Sequence, residues 1–294
     1  MTRNQAIFLL HFIVLLWGFT AILGKLISYD SVTLVWWRLV IVNVSLALVL
    51  FYKRKTIKLE LHSVWKIGLV GLIVAAHWVF FYSGIKLSNI SITMIAFSSG
   101  TFFTAFIEPI AYKRKIIWNE VIIGFVIICV ITGIGYFEFE NAINPILGIV
   151  LGVLAAFTSA LFSTINGKLI EKTNAFSISF IELVSANIWV TLGMVLFFEI
   201  PDNLFSPSGN DILHLLVLGI VCTAVPFIIS VEIMKKVSPF TTNLALNLES
   251  VYAIILGFVI FGETEKMTPS FYIGGIVILG LILLNEFLKR RRKN

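Results

Sequence analysis

Polar residues punctuate this chain instead of alternating with apolar ones. Long apolar runs are separated by short polar connections. Ten runs reach the ~20 residues that a helix needs to cross a bilayer. They cover 5–27, 32–52, 64–85, 89–112, 117–137, 146–166, 178–199, 212–234, 239–261 and 270–288. The pattern predicts ten transmembrane helices in an all-α integral membrane protein. The first run is too long for a cleaved signal, and Trp17–Lys25 lacks a small-x-small exit. The longest connections, Lys53–Ser63 and Pro201–Asp211, are too short for a soluble domain; Pro201, Ser206, Pro207, Ser208 and Gly209 mark the second as irregular.

Composition agrees with the pattern. Hydrophobic residues make up 59% and charged residues 13%, with a mean hydropathy of +0.99; a soluble domain carries about twice that charged share. A net charge of +6 does not point to nucleic acid, because the basic residues lie in short clusters between apolar runs. They predict orientation instead. With a cytoplasmic N-terminus, Arg3, Lys53, Arg54, Lys55, Lys58, Lys66, Lys113–Lys115, Lys168, Lys172, Lys235, Lys236 and Lys289–Lys293 are inside, and Lys25, Lys86 and Lys266 outside. The outer connections collect Asp30, Glu138, Glu140, Glu199, Asp202, Asp211, Glu263 and Glu265. Ten spans with both termini cytoplasmic keep this asymmetry. The tail Lys289–Lys293 is expected to lie against anionic headgroups. Cys129 and Cys222 sit singly in apolar runs and imply no disulfide framework.

Matched motifs predict a duplication. Ser88–Phe97 resembles Ser238–Asn247 at an offset of 150, with Lys86 over Lys236, and Gly24-Lys-Leu-Ile27 recurs as Gly167-Lys-Leu-Ile170. Arg38 pairs with Glu182, and Asn43 with Asn187, at an offset of 144. The expected units are 1–140 and 141–294. Five spans each is an odd number, so the second unit is inserted upside down. Inverted repeats of this kind bind substrate near the midplane between them.

Ionisable residues inside apolar runs are costly and imply function by default. Arg38 lies about ten ångströms below the outer surface and Glu182 a similar depth from the inner one, at 1.5 Å rise per residue. The expectation is that Arg38 attracts a carboxylate and Glu182 an amine or proton, as a zwitterion requires. The structural alternative is that each pairs locally and holds the bundle together. Glu249 is the deepest acid and a candidate for proton exchange. Asn243, Asn247 and Ser250 share one helical face, with Glu249 to its side. Asn43 and Asn187 are inter-helix contacts first and substrate contacts second. His77 and Trp78 open an aromatic stretch, either cavity wall or packing. Glu108 and Glu232 lie beside inner basic clusters and are explained by interfacial ion pairs. Pro226 favours a kink.

The layout resembles the drug/metabolite transporter superfamily, specifically its EamA-type members. Trp17-Gly-Phe19 in the first run and Leu246-Asn-Leu-Glu-Ser-Val-Tyr-Ala253, followed by Gly257–Glu263, in the ninth carry the resemblance. Ser250 stands where similar proteins commonly have proline, which straightens that helix. The resemblance implies transport of amino acids, other metabolites or drugs. The chain has no GxxxxGK[ST], no HExxH or Cys/His cluster, no GxSxG and no TVGYG-like filter. A nucleotide-driven pump, a metalloenzyme, a hydrolase and a selective channel therefore find no support. The sum is a secondary active carrier, exporter or exchanger, most simply of amino acids, in a prokaryotic plasma membrane. It needs no cofactor, and its partners are a small-molecule substrate, the proton as coupling ion, and membrane lipids. The alternatives are other organic solutes or drugs, or a sensor or channel. Oligomeric state is open.

Overall fold

The computed structural model describes residues 1–52, 61–138, 143–198 and 200–291, and among them the regular elements are helices. The basic connection Lys53–Lys58, Glu140, Glu199, Arg292 and Lys293 lie outside the described residues. So do the side chains of His62, Glu138 and Lys289–Arg291.

The elements in order are α1 (Arg3–Leu26), α2 (Ser31–Tyr52), α3 (Leu61–Leu87), α4 (Ile90–Phe97), α5 (Gly100–Tyr112), α6 (Trp118–Glu138), α7 (Pro145–Leu169), α8 (Ala175–Phe197) and α9 (Gly209–Leu216). A π-helical turn, Val217–Ala224, leads into α10 (Val225–Ile233), and α11 (Pro239–Phe261) and α12 (Pro269–Arg291) complete the chain. Among the described residues, eight segments are long and apolar enough to cross a membrane; α6 and α12 add the shorter apolar stretches Trp118–Ile134 and Pro269–Leu281. Bulky apolar side chains such as Phe51, Val259 and Leu48 face outward, as they would toward lipid.

Polar residues at the ends of apolar runs start the helices. Thr2 and Gln5 form a reciprocal capping box on α1, Asn89 accepts from Ile92 N–H, and Asn174 accepts from Ser177 N–H. The fourth apolar run is divided. Ser98 and Ser99 keep near-helical angles, but Ser98 N–H bonds Ile95 O three residues back, a tightened turn between α4 and α5. The run that carries Ser250 is one unbroken helix, α11, as expected without proline.

Small residues let backbones meet. A Cβ added at Gly71 in α3 would lie 2.6 Å from Glu182 O in α8, one at Gly152 in α7 2.7 Å from Thr93 O in α4, and one at Gly18 in α1 2.7 Å from Tyr252 Cβ in α11. This is how membrane helices gain contact when lipid is as apolar as their side chains.

Two buried carboxylates join distant parts of the chain. Glu265, 0% exposed, accepts from Ile90 N–H, Ser91 N–H and Lys25 Nζ at 3.1, 3.0 and 2.7 Å. Glu108 accepts from Phe240 N–H at 2.6 Å and from Arg114 at 3.1 Å. Each therefore neutralises the free N–H groups and positive end of another helix, α4 or α11. Glu232 pairs with Lys235 at 2.8 Å. Glu265→Ala is expected to lower stability by about 1–2 kcal/mol, the cost of a lost cap, read as a lower melting temperature of the purified protein.

Candidate functional site

A cavity opens among α1, α2, α3, α7, α10 and α11, and its polar wall is built around Arg38. The guanidinium is 3% exposed and lies over the Trp78 ring, 3.9 Å from its centroid. Nε donates to Thr223 Oγ1 at 2.8 Å and Nη1 to Tyr82 Oη at 2.9 Å. Two of five N–H donors are used, and both acceptors are neutral. Cation–π attraction from Trp78 adds to them.

The local sequence explains this placement. An added Cβ at Gly219 would meet Ile41 at 2.7 Å, so only glycine lets α2 sit against the π-helical turn. Pro226 removes a backbone donor from the start of α10, and within the widened turn Thr223 Oγ1 donates to Leu218 O at 2.6 Å. Thr223 Oγ1 then remains an acceptor for Arg38. π-helical turns occur often at functional sites for this reason: they re-aim single side chains.

Glu249 lines the same cavity from α11, on a face shared with Thr242 and Leu246. It makes no ion pair with Arg38 and no side-chain hydrogen bond among the described residues. A buried cation and a buried carboxylate thus share one space without a direct ion pair. His77 hydrogen-bonds Ala155 O through Nδ1 at 2.8 Å. A carbonyl only accepts, so Nδ1 carries the proton and Nε2 is left as an acceptor. Phe81, Phe97 and Phe162 surround the imidazole at 5.4–6.1 Å between centroids. Trp17, Thr20, Ser159, Ser163, Phe227, Ser230 and Met234 complete the lining. The cavity volume is about 60 Å³, well below the roughly 300–1,000 Å³ of a ligand pocket. The site is contracted, and a metabolite enters only if the helices part.

Arg38, His77, Trp78 and Glu249 are brought together. The other candidates are not. Asn243 donates to Ser163 Oγ at 2.8 Å, Asn247 to Thr101 Oγ1 at 2.9 Å, and Ser250 to Met94 O at 2.8 Å. Their shared face of α11 fastens α4, α5 and α7. Asn43 donates from α2 to Leu183 O of α8 at 3.1 Å, an inter-helix contact, whereas Asn187 accepts from Thr191 within its own helix. Glu182 is 0% exposed and is not part of the cavity wall; Asn166 Nδ2 donates to its Oε2 at 3.0 Å. Thr223, Phe162 and Phe227 were not foreseen; Tyr82 belongs to the expected aromatic stretch, but its hydrogen bond to Arg38 was not anticipated. Pro226 beside Gly219 was the available signal for Thr223, but it marks irregular backbone and not its partner.

The chain matches the model of the EamA-like transporter family twice, over residues 4–136 and 146–286. "Uncharacterized transporter YdfC" of Bacillus subtilis (strain 168) is 23% identical over 260 residues, covering 85% of this chain and 80% of the relative. An "Uncharacterized transporter" of Archaeoglobus fulgidus is 23% identical over 279 residues, covering 92% and 95%. A protein of solved crystal structure superimposes with a TM-score of 0.72 at 15% identity, each chain covered in full, which bears on the fold alone. With the family model matched over most of its length, this chain belongs to the EamA-like transporter family and is a multi-pass membrane transporter.

Proposed function

We propose that the protein is a secondary active carrier of small zwitterionic metabolites, amino acids foremost, working by alternating access. One observation carries this reading: Arg38 and Glu249 line one cavity unpaired with each other. Arg38 takes the substrate carboxylate, since a planar fork suits bidentate carboxylate binding. Glu249 takes the ammonium group. The rings of Trp17, Trp78, Phe81, Phe97, Phe162 and Phe227 receive the side chain, which favours apolar and aromatic amino acids. Glu249 takes the amine role that the sequence suggested for Glu182.

The cycle we infer uses two inverted five-helix units, 1–140 and 141–294, with both termini cytoplasmic. The two successive family matches and the basic residues of the inner connections support it. Substrate release requires the units to rock apart on one face at a time, because the cavity is contracted. The charge asymmetry and compact chain fit a prokaryotic cytoplasmic membrane, with net export or exchange.

Counter-flow in proteoliposomes preloaded with mixed amino acids tests the reading. Wild type is expected to take up an external amino acid saturably. Glu249→Gln is expected to raise its KM about 10- to 100-fold, the cost of ~1.4–3 kcal/mol for a charge-assisted hydrogen bond. Inhibition by a carboxylic acid lacking the amine should change little in that variant. If no amino acid exchanges in wild type, the substrate class is wrong and uncharged metabolites come next.

A further inference from the structure

Glu182 is a fully buried carboxylate that lies outside the cavity wall, and its surroundings are short of positive charge. Among the described residues only Asn166 Nδ2 donates to it, at 3.0 Å, and Oε1 has no partner. Asn166 Oδ1 and Ser179 Oγ are also buried without a partner, and all three residues are 0% exposed. These atoms belong to one locality. Asn166 touches Glu182 directly, and Ser179 stands three residues earlier on the same face of α8. The orphans are oxygens, and buried polar atoms are ordinarily satisfied.

Among the described residues, no side-chain cation fills the gap. The elements around Glu182 are α2, α3, α7 and α10, and their described charged or titratable side chains are Arg38, Tyr52, Lys66, His77, Tyr82, Lys86, Lys168 and Glu232. Arg38 is held by Thr223 and Tyr82, His77 by Ala155 O, Lys86 by Ile27 O, Lys168 by Ala111 O and Glu232 by Lys235. Lys66 lies against the Trp65 ring, 5.9 Å from its centroid. An uncompensated carboxylate at this depth is costly, so the site calls for a positive charge that the described side chains do not supply.

We propose that Glu182, with Asn166 and Ser179, binds the small monovalent cation that drives transport, at a place the substrate does not touch. The inference rests on the carrier reading above. A proton neutralises Glu182 directly; a sodium ion would use all three orphaned oxygens, as hard cations take oxygen ligands. Both supply one positive charge to the same carboxylate. The connection to the cavity is short. Ser163 lines the cavity, and Asn166 is one turn further along α7, about 4.5 Å of rise. Ser163 also accepts from Asn243 of α11. Neutralising Glu182 frees α7 and α8 to shift against α3, and the cavity wall on α7 moves with them.

A ligand of the native state stabilises it in proportion to occupancy, so cation binding is measurable without knowing the substrate. The purified protein would be melted in choline buffer across a pH series, and at fixed pH across a sodium series. A rise of several degrees in wild type with sodium, or with falling pH, that is absent in Glu182→Gln supports the site. Ser179→Ala serves if Glu182→Gln does not fold. It should raise the half-saturating sodium concentration about tenfold if sodium is the ligand, and leave the pH midpoint in place if the proton is. Equal responses in wild type and Glu182→Gln, or no response to either cation, overturn the proposal. In proteoliposomes, Glu182→Gln should retain amino-acid counter-flow and lose gradient-driven accumulation. No melting response in wild type, with its counter-flow intact, refutes the cation site alone. A retained response without any exchange refutes the amino-acid reading alone.

Discussion

Arg38→Gln is expected to lower amino-acid exchange to near background. Truncating one partner of a buried, hydrogen-bonded charge costs about 2–5 kcal/mol, or roughly 30- to 4,000-fold in affinity. The variant loses the substrate's carboxylate partner, and it leaves Glu249 in the cavity with no compensating charge. It also vacates the face of Trp78 and withdraws the donors from Tyr82 and Thr223, so the fold is affected as well. Arg38→Lys separates these effects. It keeps the charge but not the planar fork, so it should melt close to wild type while KM for the amino acid rises at least tenfold. Counter-flow alongside melting of both variants is the measurement. Wild-type exchange by Arg38→Gln would remove Arg38 from the substrate site.

The largest expected loss of stability follows Gly71→Val. The first added carbon would lie 2.6 Å from Glu182 O, 2.8 Å from Ser185 Cβ and 2.9 Å from Ala186 N. Two of these atoms are backbone of α8, so a rotamer change relieves nothing. Overpacking of this kind costs about 1–3 kcal/mol and sometimes more. The neighbouring contact, Ser185 Oγ donating to Gly68 O at 2.6 Å, would be strained as α3 and α8 separate. A lower melting temperature and poorer recovery of monodisperse protein are the expected readouts. Gly133→Val, at a position with nothing within 4 Å of an added Cβ, should be close to neutral.

Much of the molecule was legible before any coordinate. Each of the ten apolar runs falls on helix, because segment length and hydropathy are local properties, and helix is the chain's way to satisfy its own backbone in lipid. The inward candidates Arg38, His77, Trp78 and Glu249 were legible for a similar reason: a polar group inside an apolar run has few places to go. The face carrying Asn243, Asn247 and Ser250 followed from helical spacing, and Glu249 lies to its side as that spacing requires. The break at Ser98–Ser99 was not legible, since two near-helical residues leave no compositional mark.

What only the tertiary structure decided is which groups meet. Depth along the sequence matched Arg38 with Glu182 at opposite ends of one cavity. The fold instead gives Arg38 the company of Glu249 and places Glu182 beside Asn166, outside the cavity wall. Helical periodicity specifies which face of its own helix a side chain occupies, but not which neighbour that face meets. The rotation of each helix is chosen by close contacts at small residues: Gly71 of α3 against α8, Gly152 of α7 against α4, and Gly219 of the π-helical turn against α2. Those contacts join residues far apart in the chain, so no stretch of sequence contains them.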